Sequence, residues 1–314
     1  MAASVLMCRE ASTSSFVTKT IAQTNYPRRY ARGVPELPEV EITARLTGAA
    51  IAGARVESAF APGVNALKTF DPPLSELDGR TLDGVSRRGK MLIVGLEGDL
   101  KLLVHLMSAG RLQLFDGRAS LRDRTSRFLL RLDDGRELRL REFGTKQRAW
   151  VKLLRGDALD AEETIASLGP EAWPDPPPLG ELLDVPRPLY ALLRDKHTIA
   201  GIGRSWVDEI LHTARLSPFK RGSDLDADEL ARLRSAIVER LGGAIAHYER
   251  AIKLPIPDKL PMPLTVHRRN GEPCPRCGDQ LEAVYYEDYV MCYCPTCQTD
   301  GKLMKDRRLS RLLK

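Results

Sequence analysis

The sequence predicts an α+β multidomain chain with a β-rich N-terminal part carrying one helix, a helical part, and a small cysteine module at the C-terminus. Three observations predict it. Between residues 91 and 143, short runs rich in Leu, Ile, Val and Phe are broken by Gly-Asp and Asp-Gly pairs, the mark of hairpin-linked strands. From Leu230 to Ile252, apolar residues recur every three or four positions, as on a buried helix face. Two Cys-x-x-Cys pairs then stand 16 residues apart, which is metal spacing rather than a disulfide framework.

Composition bounds the rest. Of 314 residues, 43% are hydrophobic and 29% charged, enough for a sizeable core and unlike a globally disordered chain. No run of about 18 apolar residues occurs, so no membrane-spanning helix is expected. The net charge is +6, but residues 1–33 hold +4 of it and the other 281 residues only +2. Overall charge therefore does not argue for nucleic acid, and any basic surface must be local. Four of the six cysteines lie in the paired motif, which fits a reducing compartment.

Residues 1–33 read as an arm, rich in Ser and Thr, poor in acids and without apolar period. A transit peptide has this composition, and so does untranslated sequence placed upstream of a true start. Pro35-Glu36-Leu37-Pro38-Glu39-Val40-Glu41 opens a helix, since prolines suit a first turn and acids its positive end. Segments 91–96, 100–107, 127–132 and 136–143 are the expected strands of a domain spanning residues 34–168, with Gly98-Asp99 and Asp134-Gly135 as turns. Seven prolines in residues 169–188 mark a linker with a short helix at 179–183. Residues 189–265 are helical, and Asp226-Ala227-Asp228-Glu229 forms a capping box ahead of the apolar stripe. A second proline-rich stretch, 255–263, leads to the module of residues 266–314.

In that module Cys274, Cys277, Cys294 and Cys297 can close a tetrahedral four-thiolate site for one structural Zn2+. Runs 281–287 and 289–294 form a hairpin between the knuckles, with Cys292 expected on the opposite strand face. The tail cations Lys302, Lys305, Arg307, Arg308, Arg311 and Lys314 face one acid, Asp306, and suit either phosphate contact or solvation. The Gly201-Ile202-Gly203 turn ahead of a helix has two readings. Backbone amides, with Arg204 and Lys196, approach an anion there, or a tight helix–helix turn simply needs glycine. His105, His197 and His212 show no metal or triad spacing and read as packing or polar-surface residues.

Four features in one order resemble the formamidopyrimidine-DNA glycosylase and endonuclease VIII family of DNA repair enzymes. They are the opening from Pro35 to Glu41, the Arg87-Arg88-Gly89-Lys90 run, the Gly201-x-Gly203 turn and the cysteine hairpin. The resemblance covers about residues 34–314. It implies an N-terminal β-sandwich, a helix–two-turn–helix domain and a C-terminal zinc-finger β-hairpin. It also implies a monomer that binds damaged double-stranded DNA between its lobes and has no membrane partner. Pro35 matches the family's nucleophile, Glu36 its acidic partner and Lys90 its lysine near the phosphate and sugar of the lesion. A prolyl amine with pKa ~7.7–8.0 is partly neutral near pH 7 and can attack the anomeric carbon. DNA contacts are expected from Lys146, Arg148, Lys196, Arg204, Lys302, Arg307 and Arg308. The implied activity is that of a bifunctional DNA glycosylase and abasic-site lyase, excising oxidised bases in base excision repair through a proline iminium and β,δ-elimination. The alternative is a catalytically silent DNA-damage-binding protein on the same scaffold. A zinc-ribbon transcription or interaction factor would leave Pro35 and Lys90 unexplained.

The chain also departs from that pattern. Pro35 is bonded to Val34, and an amide nitrogen has no lone pair with which to form an iminium. Val34 stands where an initiator methionine would, and valine is what a GUG start reads as internally. Initiation at residue 34 with removal of the initiator, or proteolysis of the arm, would free the amine. The first route goes with a cytoplasmic, nucleoid location, while the composition of the arm keeps organelle targeting open. The family's void-filling methionine aligns with Ser108, leaving Met107 as a core side chain. Its paired arginine and phenylalanine wedge falls near Lys146 and Gln147. Arg204 replaces the glycine-turn asparagine, and Glu287-Asp288-Tyr289 replaces the zinc-hairpin arginine.

Overall fold

The computed structural model of the chain describes residues 34–63, 65–143, 146–286 and 289–304. The arm of residues 1–33, Glu287 and Asp288 of the hairpin tip, and the tail from Lys305 onward, including Arg307 and Arg308, lie outside the described residues. Helix α1 (Leu37–Ile51) begins where the prolines and acids indicate, with Pro38 and Glu39 in its first turn. Its apolar residues divide between two cores. Val40, Ala44 and Ile51 face one, Leu37 and Ile42 the other. The helix crosses β2 so closely that a Cβ on Gly48 would lie 2.8 Å from the Val85 nitrogen.

Eight strands follow: β1 (Val56–Phe60), β2 (Leu82–Arg88), β3 (Met91–Leu96), β4 (Leu100–His105), β5 (Gly110–Phe115), β6 (Ser126–Leu132), β7 (Glu137–Glu142) and β8 (Trp150–Arg155). They form two antiparallel sheets of order β1-β6-β7-β5 and β2-β3-β4-β8. Alternate residues of both sheets, among them Leu92 and Val94, Leu102 and Val104, Leu112 and Leu114, and Leu138 and Leu140, meet in one core. That is the geometry of a β-sandwich. The outer face of the second sheet is covered as well. Met91, Leu103 and Leu154 pack against Ile165, Leu159 and Leu168, contributed by α2 (Gly156–Ala161), α3 (Glu163–Ala166) and the residues after them.

The proline-rich stretch is packed rather than a free spacer. Ala172, and Leu179 and Leu183 of α4 (Leu179–Leu183), join the helical core. Glu171 accepts from the Gly89 amide at 2.6 Å, from Arg88 at 2.7 Å and from Arg87. These bonds tie the stretch to the β2–β3 turn. Helices α5 (Leu189–Arg194), α6 (Arg204–Ala214) and α7 (Ala227–Ala251) build the second core. The capping box forms as expected. The Glu229 amide donates to Asp226 at 2.8 Å and the Asp226 amide to Glu229 at 3.1 Å. Leu233, Ile237, Leu241, Ile245 and Tyr248 are the buried stripe of α7. The hairpin of β9 (Glu282–Tyr285) and β10 (Val290–Tyr293), followed by α8 (Pro295–Gln298), completes the described chain. Its Val284, Met291 and Tyr293 reach into the helical core.

Candidate active site

The first turn of α1 meets the first turn of α6 over a pair of glycines. Leu37 donates its amide to the Gly201 carbonyl at 3.0 Å. Gly201 adopts φ +105°, and a Cβ there would lie 2.4 Å from the Leu37 side chain. On Gly203, a Cβ would lie 2.3 Å from the Glu36 carboxyl carbon. Both glycines are therefore required by close approach. Glu36 fills the space they leave. It is 2% exposed and accepts from the Ser205 amide at 2.9 Å and the Trp206 amide at 3.3 Å. Two unpaired amides and the positive end of α6 hold this carboxylate. The anion that the sequence left open at this turn is thus the protein's own Glu36, and a phosphate would find those two amides already taken.

Glu39 lies just beneath. It accepts from the Glu36 amide at 2.9 Å, from Tyr248 Oη at 2.6 Å and from Trp206 Nε1 at 3.3 Å. Burial, reinforced by the charge of Glu36 and opposed by the bond from Tyr248, raises its pKa to about 7. Pro35 is buried and Val34 exposed. Lys90 leaves the β2–β3 turn half-buried. Burial holds its pKa below the ordinary lysine value. Glu36 and Glu39 oppose that shift, and Arg194 and Arg204 add to it. Three of the residues singled out by sequence, Glu36, Lys90 and Arg204, therefore share one electrostatic neighbourhood, with Pro35 next to Glu36 in the chain. Lys196 approaches it from an exposed position, and its charge reaches His105.

Sequence reasoning missed several members of this site. His105 ends β4, accepts the Met107 amide through Nδ1 at 2.8 Å and packs on Trp150. Burial first, then Lys90 and Lys196, lower its pKa to about 4. It packs on Trp150 as the sequence reading allows, and it is also a hydrogen-bond acceptor beside the site. Arg194 also escaped notice. Its guanidinium lies 5.2 Å from the Tyr190 ring centre and 4.3 Å from that of Tyr289, and Arg204 lies 4.9 Å from Tyr289. Tyr190, Tyr289 and Tyr286 form a tier of near-parallel rings. This tier joins α5 to the hairpin. Only long-range pairing could reveal it, because no sequence motif links the three positions.

At the far edge of the sandwich, Met107 is not a core side chain. It is half-buried and has φ +50°, a left-handed turn that places the exposed Ser108 at the loop tip. The register pairing Gly110 with Glu142 brings this loop beside the end of β7. There Arg141 lies 4.7 Å from the Phe143 ring centre. This arginine–phenylalanine contact stands a few residues before Lys146 and Gln147. Lys146 and Arg148 are both exposed nearby, and Lys302 is exposed at the other end of the molecule's chain.

The four cysteines form a compact cluster, with all their sulfurs within 4.8 Å of one another. Separations of 3.5 Å for Cys277–Cys294 and 3.9 Å for Cys274–Cys297 bracket the roughly 3.8 Å edge of a tetrahedron with 2.3 Å Zn–S bonds. The Arg276 and Cys297 amides each point at a sulfur, at 3.5 Å. These donors fit a thiolate-bound zinc ion. Cys292 is not one of the four clustered cysteines, but it shares the small core of Cys274 and Cys294 rather than the opposite strand face, because residues two apart on a strand point the same way. Its sulfur accepts from the Arg268 amide, and burial pushes its thiol up to about 12. His212, read from sequence as a packing or polar-surface residue, lies against the cluster, with Nε2 3.1 Å from Cys274 Sγ.

Comparison with known proteins agrees with this architecture. Residues 34–146 match the formamidopyrimidine-DNA glycosylase N-terminal domain, and residues 181–255 match the formamidopyrimidine-DNA glycosylase H2TH domain. Curated formamidopyrimidine-DNA glycosylases from Chloroflexus aurantiacus and Moorella thermoacetica are 32% and 34% identical. The matches cover 84% and 80% of this chain and 98% and 94% of those proteins. The glycosylase of Lactococcus lactis, solved with DNA containing N7-benzyl-Fapy-dG, superposes with a TM-score of 0.75 at 27% identity over 84% of this chain and all of that one. Solved with DNA containing an abasic site, the same protein gives 0.72 at 26% identity, over 84% of this chain and 99% of that one. The chain belongs to the formamidopyrimidine-DNA glycosylase family.

Proposed function

We propose that the chain, a DNA glycosylase of base excision repair by its family, is bifunctional, excising oxidised bases and then cutting the abasic strand. The observation that carries this reading is the fixed Glu36 carboxylate directly after Pro35, with Lys90 in the same field. A free Pro35 amine attacks the anomeric carbon. The nitrogen bonds to C1′ as the bond from C1′ to the base breaks, and the amine proton leaves with the base. Protonation of the ring oxygen then breaks the C1′–O4′ bond, which opens the sugar and leaves the iminium. The iminium acidifies the adjacent sugar proton, so the 3′ and then the 5′ phosphate leave by β- and δ-elimination. Glu36, close to the sugar, passes these protons. Lys90 holds the flanking phosphate as a compact point charge. Extruding the damaged nucleotide costs a few kcal/mol, offset by cationic contacts along the backbone.

Those contacts are assigned to Lys146, Arg148, Lys196, Arg204 and Lys302, with Arg194 added to them. Arg307 and Arg308 of the tail keep the same assignment from sequence. Arg141, Phe143 and the Met107–Ser108 loop face the space left by the extruded base. Cys274, Cys277, Cys294 and Cys297 hold one structural zinc ion, which supplies folding energy to the hairpin. No helix among the described residues is long and apolar enough to cross a membrane, and a monomer working at the nucleoid fits this reading.

The peptide bond from Val34 favours a second reading. While Pro35 is acylated the scaffold binds damage without cutting it. Borohydride trapping on abasic DNA separates the two. A zinc-loaded chain beginning at Pro35 is expected to form a covalent adduct and the chain beginning at Met1 none. Absence of an adduct from the Pro35 chain would leave the silent binder.

A further inference from the structure

We infer that His212 is a positioning residue of the cysteine metal site, donating a hydrogen bond from Nε2 to the Cys274 thiolate. The inference is independent of the chemistry at Pro35. His212 is 5% exposed and Cys274 3% exposed, and their Nε2 and Sγ atoms stand 3.1 Å apart. A metal-bound thiolate offers only lone pairs on the side away from the metal, so the imidazole must supply the proton. That fixes the tautomer as Nε2–H.

The surroundings hold the ring in place. His212 sits in the last turn of α6, and Arg276, between the two cysteines of the first knuckle, donates back to the His212 carbonyl at 2.8 Å and the Thr213 carbonyl at 3.2 Å. One turn earlier, Asp208 accepts from the Cys292 amide at 3.1 Å and from His267 Nδ1 at 2.6 Å. The helix backbone is therefore held on both sides of His212, which fixes where its side chain starts relative to Cys274. Four thiolates around a dication carry a net charge of −2, with Cys274 and Cys294 buried, Cys297 half-buried and Cys277 exposed, and each N–H directed at a sulfur spreads that charge. Two of the donors are local knuckle amides. His212 is a side-chain donor from another domain, 62 residues away in sequence. Removing a partner of this kind typically weakens metal binding 10- to 100-fold.

The direct test uses the full chain with cadmium-113 in place of zinc. A through-bond correlation between the metal and the His212 Nε2 proton, with nitrogen shifts of the Nε2–H tautomer, is the expected result. An Nδ1–H tautomer with no correlation overturns the inference. A second arm measures metal release to a chromophoric chelator. His212→Phe is expected to release zinc 10- to 100-fold faster, with His212→Gln, which keeps a donor, lying between. In the cobalt(II) form, the sulfur-to-metal charge-transfer band of His212→Phe should move to lower energy. Release at the native rate with an unmoved band overturns the inference even where the correlation is seen. Should His212→Phe fail to fold, the cadmium measurement on the native chain decides alone.

Discussion

Glu39 offers a quantitative handle on the buried carboxylates of the site. Its pKa stands at about 7 in the folded chain against an ordinary 4.5, and each pKa unit is worth about 1.4 kcal/mol. Once ionised, the folded side chain therefore carries a penalty of about 3 kcal/mol. The sign follows from where the protons sit. Below pH 4.5 both folded and unfolded chains hold the proton, and the folded state is not penalised. Between pH 4.5 and about 7 the unfolded chain releases it while the folded chain keeps it, so stability falls as pH rises. Above about 7 the loss is complete. Glu39→Gln cannot titrate and shows only a pH-independent offset. Urea unfolding of both proteins, followed by circular dichroism in zinc-containing buffer from pH 4.5 to 8, isolates the effect. The metal and the groups that do not touch Glu39 are common to the pair and cancel in the difference, leaving Glu39 and its coupled neighbour Glu36. The stability of the native chain relative to Glu39→Gln should fall by about 3 kcal/mol across that window and then level off. A difference constant to within about 1 kcal/mol would refute the placement of Glu39 as a buried acid pressed against Glu36.

Two further outcomes follow from the same geometry. Gly203→Ala puts a methyl group 2.3 Å from the Glu36 carboxyl carbon and must expel the carboxylate from its two amides. A loss of about 2 kcal/mol corresponds to a roughly thirtyfold slower single-turnover lyase rate in a chain beginning at Pro35, with the far-ultraviolet spectrum retained. Metal removal should cost the cysteine module a folding contribution of ~10–16 kcal/mol. Hydrogen exchange after chelation should show protection lost across the β9–β10 hairpin while β3 and β4 keep theirs.

How far the sequence could be read depended on where each strand's partners lie. β3, β4, β6 and β7 were legible because they are short runs rich in Leu, Ile, Val and Phe and their turns carry Gly98-Asp99 and Asp134-Gly135, with φ of 77°, 59° and 89° at Gly98, Asp99 and Gly135. β5 was not, although all but its last residue are buried. Its Arg111 and Gln113 read as surface residues. In the fold they are 4% and 2% exposed, because the segment after α7 supplies acceptors at the Asp258 and Ile256 carbonyls. β2 was hidden in another way. Gly84, Ser86, Arg87 and Arg88 look like a loop until Glu41 and Glu171 arrive to pair with Arg87. The candidate site divides along the same line. Pro35, Glu36 and Lys90 were named through the family's ordered motifs. His105, Arg194 and His212 have no local signal, since what defines each is a partner brought from elsewhere in the fold.

Helix α6 shows why those distant partners matter together. Its first turn holds Glu36 through backbone amides. Its exposed-looking polar residues, Asp208, Glu209 and His212, are all buried against the cysteine module. Glu209 alone takes the amides of Thr265, Val266 and His267 at 2.8–3.0 Å, together with Thr265 Oγ1 and Arg240. A purely apolar seam would tolerate sliding by a fraction of a turn. Three backbone amides converging on one carboxylate oxygen do not, since a shifted register leaves a buried charge unmatched and costs several kcal/mol. Along the eleven residues of α6, the module meets Arg204 in the first turn through the Tyr289 ring, Asp208 in mid-helix through the Cys292 amide, and His212 in the last turn through Cys274. The cysteine module thus packs along the same helix whose first-turn amides hold the Glu36 carboxylate.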